Sequence, residues 1–273
     1  MVRTSSGRFQ GANPARRHFM RIMAAGAGRL SAVAIASSML VGKANDANAL
    51  GIFPRGAPGT NPNCFGPGTL ILTAHGEVPV EHLASGDLVI TPNGALPVKW
   101  IGRKTFRRIA SASWHSSVLP IRVSRFAIDD QTPQRDLYLS QEHSLLMDGV
   151  LIPLKYLING RSIAVDEDAK RSETIEYFSV ELATHQVIFA EGTAAETFRY
   201  AGDHQIAWDN LGDYQALYGE HEVMPPFAPI CRYTTVGEVR GLLRLAASRV
   251  VDVRDPVQIA YERIAARAMA AAA

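Results

Sequence analysis

Cysteine is scarce in this 273-residue chain, which carries two, Cys64 and Cys231. The pair allows one disulfide, and composition alone favours that use of it. Long apolar runs are missing as well. The most apolar stretch, 30–41, has 12 residues, short of the roughly 20 that a membrane-spanning helix needs. There is no glycine-rich phosphate loop, which removes the usual nucleotide cradle. There is no Gly-x-Ser-x-Gly elbow, which removes the common serine-hydrolase arrangement. No tight His, Cys, Asp or Glu pair has metal-ligand spacing, so neither a metal nor another cofactor is expected. With 47% hydrophobic and 20% charged residues, the chain is neither disordered nor collagen-like.

Positive charge is also missing from most of the molecule. The net charge is +2, but residues 1–49 hold seven Lys or Arg against the single acid Asp46. That segment contributes +6 and leaves −4 for residues 50–273. An acidic body has no footprint for nucleic acid, whose binding rests on clustered cations.

The order within 1–49 is basic, apolar, small. Arg16-Arg17-His18-Phe19 precedes the run 30–41, and Ala47-Asn48-Ala49 offers the small residues of a peptidase site. The order predicts an export signal cleaved between Ala49 and Leu50, with a twin-arginine-like pair lacking the usual Ser or Thr at Ala15. The protein is then periplasmic or extracellular and touches membrane only through that signal, as an anchor if it stays uncleaved. Residues 50–63 hold three Gly and three Pro and read as an extended leader.

From Cys64 onward the pattern is short strands. Segments 69–74, 87–91, 97–106 and 118–128 are rich in Val, Ile, Leu, Thr and aromatics between turn residues. Pro92-Asn93-Gly94 and Asp148-Gly149 are hairpin turns by composition. Segments 176–181 and 186–190 form a further pair through Ala183-Thr184-His185. An all-β domain over 64–200 follows, with a loop and helical tail over 201–273. Helices are expected at 238–248 and 256–273, where apolar residues recur every three or four positions and Pro256 suits a first turn.

A cysteine at the first position of a folded domain can attack the carbonyl just before it and convert that amide into a thioester. Holding the thiol in place substitutes geometry for concentration. The amide nitrogen leaves only when protonated, which calls for an imidazole. The oxyanion needs a hydroxyl or N–H donor, and the thiol gains thiolate character from a second His. Cys64, Ser140, His143 and His185 supply one group of each sort. Each also has a plain structural use: Ser140 as a backbone cap, His143 as a turn residue, Cys64 as a small buried hydrophobe. His75, His82, His115, His204 and His221 read as surface or turn residues.

Three blocks in order carry a family resemblance. The first runs from Cys64-Phe65-Gly66-Pro67-Gly68-Thr69 to Gly86-Asp87-Leu88-Val89. The second is Ser140-Gln141-Glu142-His143, and the third runs from Tyr177-Phe178-Ser179 through His185 to Ala190-Glu191-Gly192. Residues 62–200 resemble the Hint (hedgehog/intein) self-processing module, most closely its bacterial secreted variant. The resemblance implies an all-β Hint fold with the first Cys lying centrally beside the second-block His. It makes Cys64 the nucleophile for an N-to-S acyl shift at the Asn63–Cys64 bond. His143 protonates or strains that amide, Ser140 fills the family's Thr position, and His185 matches the third-block His or polarises the thiol.

Two departures limit the expected chemistry. Splicing members end with His-Asn, whereas this chain has Ala195-Glu196-Thr197. No sterol-recruiting segment is identifiable in 198–273. Thioester formation then ends in water or an external nucleophile, without splicing and as a single turnover. The competing expectation is an exported binding or structural protein with an idle Hint fold and a Cys64–Cys231 disulfide.

Overall fold

Among the described residues the chain forms twelve strands, alternating buried and less buried residues over Leu88–Thr91, Ile121–Val123 and Leu137–Leu139 but buried throughout over Val187–Ala190. They are β1 (Leu70–Thr73), β2 (Gly76–Pro79), β3 (Leu88–Thr91), β4 (Gly94–Arg107), β5 (Ile121–Val123), β6 (Leu137–Leu139), β7 (Ser144–Met147), β8 (Val150–Pro153), β9 (Ile163–Val165), β10 (Thr174–Leu182), β11 (Val187–Ala190) and β12 (Thr193–Glu196). Among the described residues two helices follow, α1 (Leu211–Tyr218) and α2 (Pro256–Ala270). This computed structural model describes residues 63–109, 112–202, 208–231 and 255–271. All lie in the second of the chain's two units, 47–273. The export signal with its Ala49–Leu50 site, the leader up to residue 62, His204 and the helix expected at 238–248 lie outside the described residues.

Nine strands form one sheet in the order β10-β4-β3-β1-β11-β12-β7-β8, with β2 paired to β1. A three-stranded sheet runs β6-β5-β9. Phe65 joins the two, bridging Leu139 of β6 on one side and Phe178 of β10 on the other. Its N–H donates to the Phe178 carbonyl at 2.7 Å and its carbonyl accepts from Phe178 N–H at 2.9 Å. The residue beside Cys64 is thus clamped where the sheets meet.

The hairpin signals were sound. Pro92-Asn93 closes β3–β4, with Thr91 opposite Gly94. Asp148 and Gly149 both take positive φ, 49° and 84°, and close β7–β8, as a type I′ turn requires. Two expectations need correction. Segment 118–128 is a strand only over Ile121–Val123, because Asp136 and Asp129 side chains accept the N–H groups of Arg125 and of Gln131 and Thr132 and bend the chain into loops. Segments 176–181 and 186–190 do not pair with each other: β10 lies against β4, and β11 lies between β1 and β12. Period and composition find strands, but pairing is set by long-range packing.

The nine-residue β10 shows how one strand serves two layers. Phe178, Val180 and Leu182 enter the larger apolar cluster, while Ile175 and Tyr177 enter a second one with Cys64, Trp100, Phe198, Trp208 and Tyr214. Helix α2 begins where Asp255 accepts the Val257 N–H at 2.9 Å, the hydrogen bond of an N-cap. It lays Val257, Ala260 and Ile264 into the larger cluster, and Arg263 reaches Asp148 at 3.0 Å. The tail helix therefore docks on the β-domain.

Candidate functional site

The peptide between Asn63 and Cys64 is held at every polar atom of its link. Ser179 Oγ, on β10, donates to the Asn63 carbonyl at 2.7 Å. Cys64 N–H donates to Ser140 Oγ at 3.1 Å, and the Cys64 carbonyl accepts from Ser140 N–H at 3.0 Å. His143 Nδ1 lies 3.0 Å from that same carbonyl. A carbonyl only accepts, so Nδ1 carries the proton. Cys64, Ser140, His143 and Ser179 are all fully buried.

Local structure explains why these residues meet. Ser140 and His143 occupy the turn between β6 and β7, closed by His143 N–H on the Ser140 carbonyl at 3.2 Å. The three-residue spacing puts the hydroxyl and the imidazole on one side of that turn, against Cys64. Phe65 packs its ring edge on His143, with centroids 4.5 Å apart. Tyr177 hydroxyl donates to the Val118 carbonyl at 2.9 Å and closes the other side of the thiol's cluster.

Burial sets the protonation states. It pushes the Cys64 thiol well above its ordinary range, because a thiolate there has no water to solvate it. It also pulls His143 below the usual imidazole value, with the Glu196 carboxylate and the backbone of Cys64 and Glu196 pulling weakly back. The resting site is a neutral thiol beside a neutral imidazole. His143 Nε2 is buried with no hydrogen-bond partner.

His185 pairs with Glu196, whose carboxylate also acts on His143. Its Nδ1 accepts the Phe227 N–H at 2.9 Å, so in its neutral form the proton is on Nε2, which lies 3.3 Å from Glu196 Oε2. Glu196 Oε1 accepts Ser144 N–H at 2.7 Å, one residue beyond His143. His143 faces the Cys64 carbonyl, while the Cys64 N–H is taken by Ser140. The disulfide expectation fails: Cys64 and Cys231 are not joined, since they pack in separate clusters.

Three residues escaped the sequence reading. Ser179 stood inside the third block but carried no assigned role, because a serine on a strand has no local signature. Glu196 was visible only as the residue that replaces an expected Asn. His221, read as a surface or turn residue, is instead largely enclosed: its side chain is 12% exposed and its Nδ1 lies 3.4 Å from Glu181 Oε2. Among the described residues, no cluster of three or more His, Cys, Asp or Glu could hold a metal, and no helix is long and apolar enough to cross a membrane.

Comparison with known proteins locates this arrangement. No curated protein matches the chain. Among solved structures, it is similar to the gp41-1 intein, at 11% identity and TM-score 0.34 over 49% of this chain and 98% of that one. A DnaB intein from Synechocystis matches at 14% identity and TM-score 0.33, over 50% and 98%. A bacterial intein-like domain from Clostridium thermocellum matches at 13% and 0.34, over 50% and 99%. The assignment rests on sequence: the family model described as the Hint domain matches residues 63–202. That match starts at the residue whose carbonyl Ser179 holds and covers just over half of the chain, which therefore belongs to the Hint domain family.

Proposed function

We propose that this Hint domain performs a single-turnover N-to-S acyl shift at the Asn63–Cys64 bond, and that the thioester is resolved by water or an external nucleophile without splicing. One observation carries the reading: the carbonyl and N–H of that one buried peptide are each bound by a serine hydroxyl, next to the thiol of Cys64. In the shift, Cys64 Sγ bonds to the Asn63 carbonyl carbon while the Asn63 oxygen takes up negative charge. Ser179 O–H, already 2.7 Å away, stabilises that charge from a fully buried position. The thiol proton ends on the Cys64 nitrogen, the C–N bond breaks, and the products are a thioester and a free amine in the same chain. Water then converts the thioester to a carboxylic acid and returns the thiol.

Ser140 and His143 act on the leaving side. Ser140 Oγ is 3.1 Å from the nitrogen that must be protonated. His143 and Ser140 N–H together grip the Cys64 carbonyl, fixing the thiol's residue against its target. To donate to the nitrogen, His143 Nδ1 exchanges the carbonyl of Cys64 for the nitrogen of the same residue. His185 is a positioning residue that works through Glu196. The basic segment 1–49 belongs to this proposal as an export signal, and the absence of Asn at 195–197 as its reason for stopping short of splicing.

Excess hydroxylamine or thiol is the test, read by intact mass. The expected result is two fragments divided before Cys64, absent in Cys64→Ala. An unchanged mass with Cys64 proven reduced would sink the proposal. It would leave the second reading, an idle Hint fold, which the burial-raised thiol favours.

A further inference from the structure

Ser179 and Glu181 point to the same face of β10, two residues or about 7 Å apart. Opposite them on β4 stand Gly102 and Trp100. Gly102 leaves room for rings: a Cβ there would come within 2.7 Å of Trp100 and 3.0 Å of Trp208. Trp208 therefore lies over the strand position facing Ser179, the residue that binds the Asn63 carbonyl, and shares its buried cluster with Cys64. Neither Trp208 nor the residues after it belong to the matched segment 63–202.

The appended segment is stitched down beside Trp208. Asp209 and Asn210 take over the edge of β4: Asn210 accepts Arg103 N–H at 2.9 Å and donates to the Ile101 carbonyl at 2.9 Å, while Asp209 accepts Thr105 N–H at 2.7 Å. Asn210 thus spends its side chain on the sheet and leaves α1 without a side-chain cap. Tyr214 packs on Trp100 with centroids 5.1 Å apart, and its hydroxyl donates to Glu181 Oε1 at 3.1 Å. His221 is sandwiched between Tyr214 and Tyr200, at 3.9 and 5.5 Å, and faces Glu181. Glu181 is also paired with Lys99 at 2.7 Å.

This closure is tight yet imperfect. The indole N–H of Trp100 and of Trp208, both ring nitrogens of His221 and Glu181 Oε2 are buried without hydrogen-bond partners. Opening to water would satisfy all of them, so the roof is held by ring contacts and two strand-edge residues against a standing polar cost.

We infer that residues 208–224 form a roof over the Cys64 chamber, with Trp208, Tyr214 and His221 as the side chains that determine which nucleophile reaches the acyl group. The inference rests on the proposed acyl shift. While the roof is closed the Cys64 thioester is dry; hydrolysis, in which water oxygen bonds the carbonyl carbon and Cys64 sulfur leaves as the thiol, waits for the roof to open. An added nucleophile is selected by its ability to enter among the rings.

Alkylation of the full chain by iodoacetamide tests this, with Cys231 as the internal reference and peptide mass as the readout. Trp208→Ala and His221→Ala are expected to raise the Cys64-to-Cys231 labelling ratio at least about tenfold, and Trp208→Phe to restore most of the protection. Ile264→Ala, on α2 away from the roof, controls for general loosening and is expected to change the ratio less than about twofold. A flat ratio in Trp208→Ala, or an equal rise in Ile264→Ala, overturns the roof. Labelling needs no cleavage, so a rising ratio in a chain that never cleaves would retire the acyl shift alone. Cleavage with a flat ratio would retire the roof alone.

Discussion

The Asn63–Cys64 peptide and the aromatic roof share one face of β10 and β4, yet opposite forces hold them. Around the peptide, both serine hydroxyls and the His143 Nδ1–H are spent on backbone partners. In the roof, five buried polar atoms of Trp100, Trp208, Glu181 and His221 lack a hydrogen bond, against His143 Nε2 alone beside the peptide. An unpaired buried group costs about 1–3 kcal/mol, whereas an aromatic pair adds only about 0.5–1.5 kcal/mol beyond its burial. The floor of the site is therefore rigid and the roof is the side that yields. A reaction that needs fixed geometry for its first step and access for its second is served by that division.

The comparison can be broken most severely at Ser179. Ser179→Ala removes the donor on the scissile carbonyl and should slow hydroxylamine-induced cleavage by about 10²–10³-fold. Folding stability should fall by only about 1 kcal/mol, so cleavage at the native rate would remove Ser179 from the chemistry.

Next comes the ion pair under the roof. Lys99 is the extra residue where the β4–β10 register shifts between Glu181 and Leu182, and such a bulge re-aims a side chain. Lys99→Met strands a fully buried carboxylate and should cost about 3 kcal/mol in denaturant unfolding. Glu181→Leu leaves a lysine side chain that is 23% exposed and can still find water, so it should cost less. The reverse order would mean that His221 and Tyr214 suffice for Glu181.

Gly102→Ala separates the two regions more finely. Its methyl group collides with the Trp100 and Trp208 rings, and overpacking of this kind costs about 1–3 kcal/mol. Cys64 alkylation should quicken while the Ser140 and Ser179 contacts persist. Unchanged alkylation would show that the rings can shift without opening the chamber.

The smallest effect is pH dependence of stability. His143, lowered by burial, contributes stability above about pH 6.5 that is lost as pH falls below it. Cys64, raised by burial, contributes stability below about pH 8.5 that is lost as pH rises. Melting curves from pH 5 to 10 should show both limbs, and Cys64→Ala should flatten the alkaline one alone. An alkaline limb that survives that substitution belongs to another group.

The strands, their turns and the Cys64, Ser140 and His143 set were readable along the chain because each has a local signature: alternation, positive-φ turn residues, a three-residue spacing. Ser179 had none, since its role comes from lying 116 residues away from Asn63 in sequence and 2.7 Å away in space. The surface reading of His221 failed for a similar reason, because its four ring-bearing neighbours, Trp100, Phe198, Tyr200 and Tyr214, arrive from three segments.

By itself the sequence determined the Hint family and the all-β class. Those follow from short-range pattern and from block order, both of which survive in one dimension. The tertiary structure decided which atoms face the Asn63–Cys64 peptide: Ser179 on its carbonyl, Ser140 on its nitrogen, His143 one group further along. It also decided that Cys64 and Cys231 stay apart, and that Trp208 and Tyr214 join the thiol's cluster. Burial and contact are properties of packing, and packing joins residues whose separation along the chain carries no trace of their meeting.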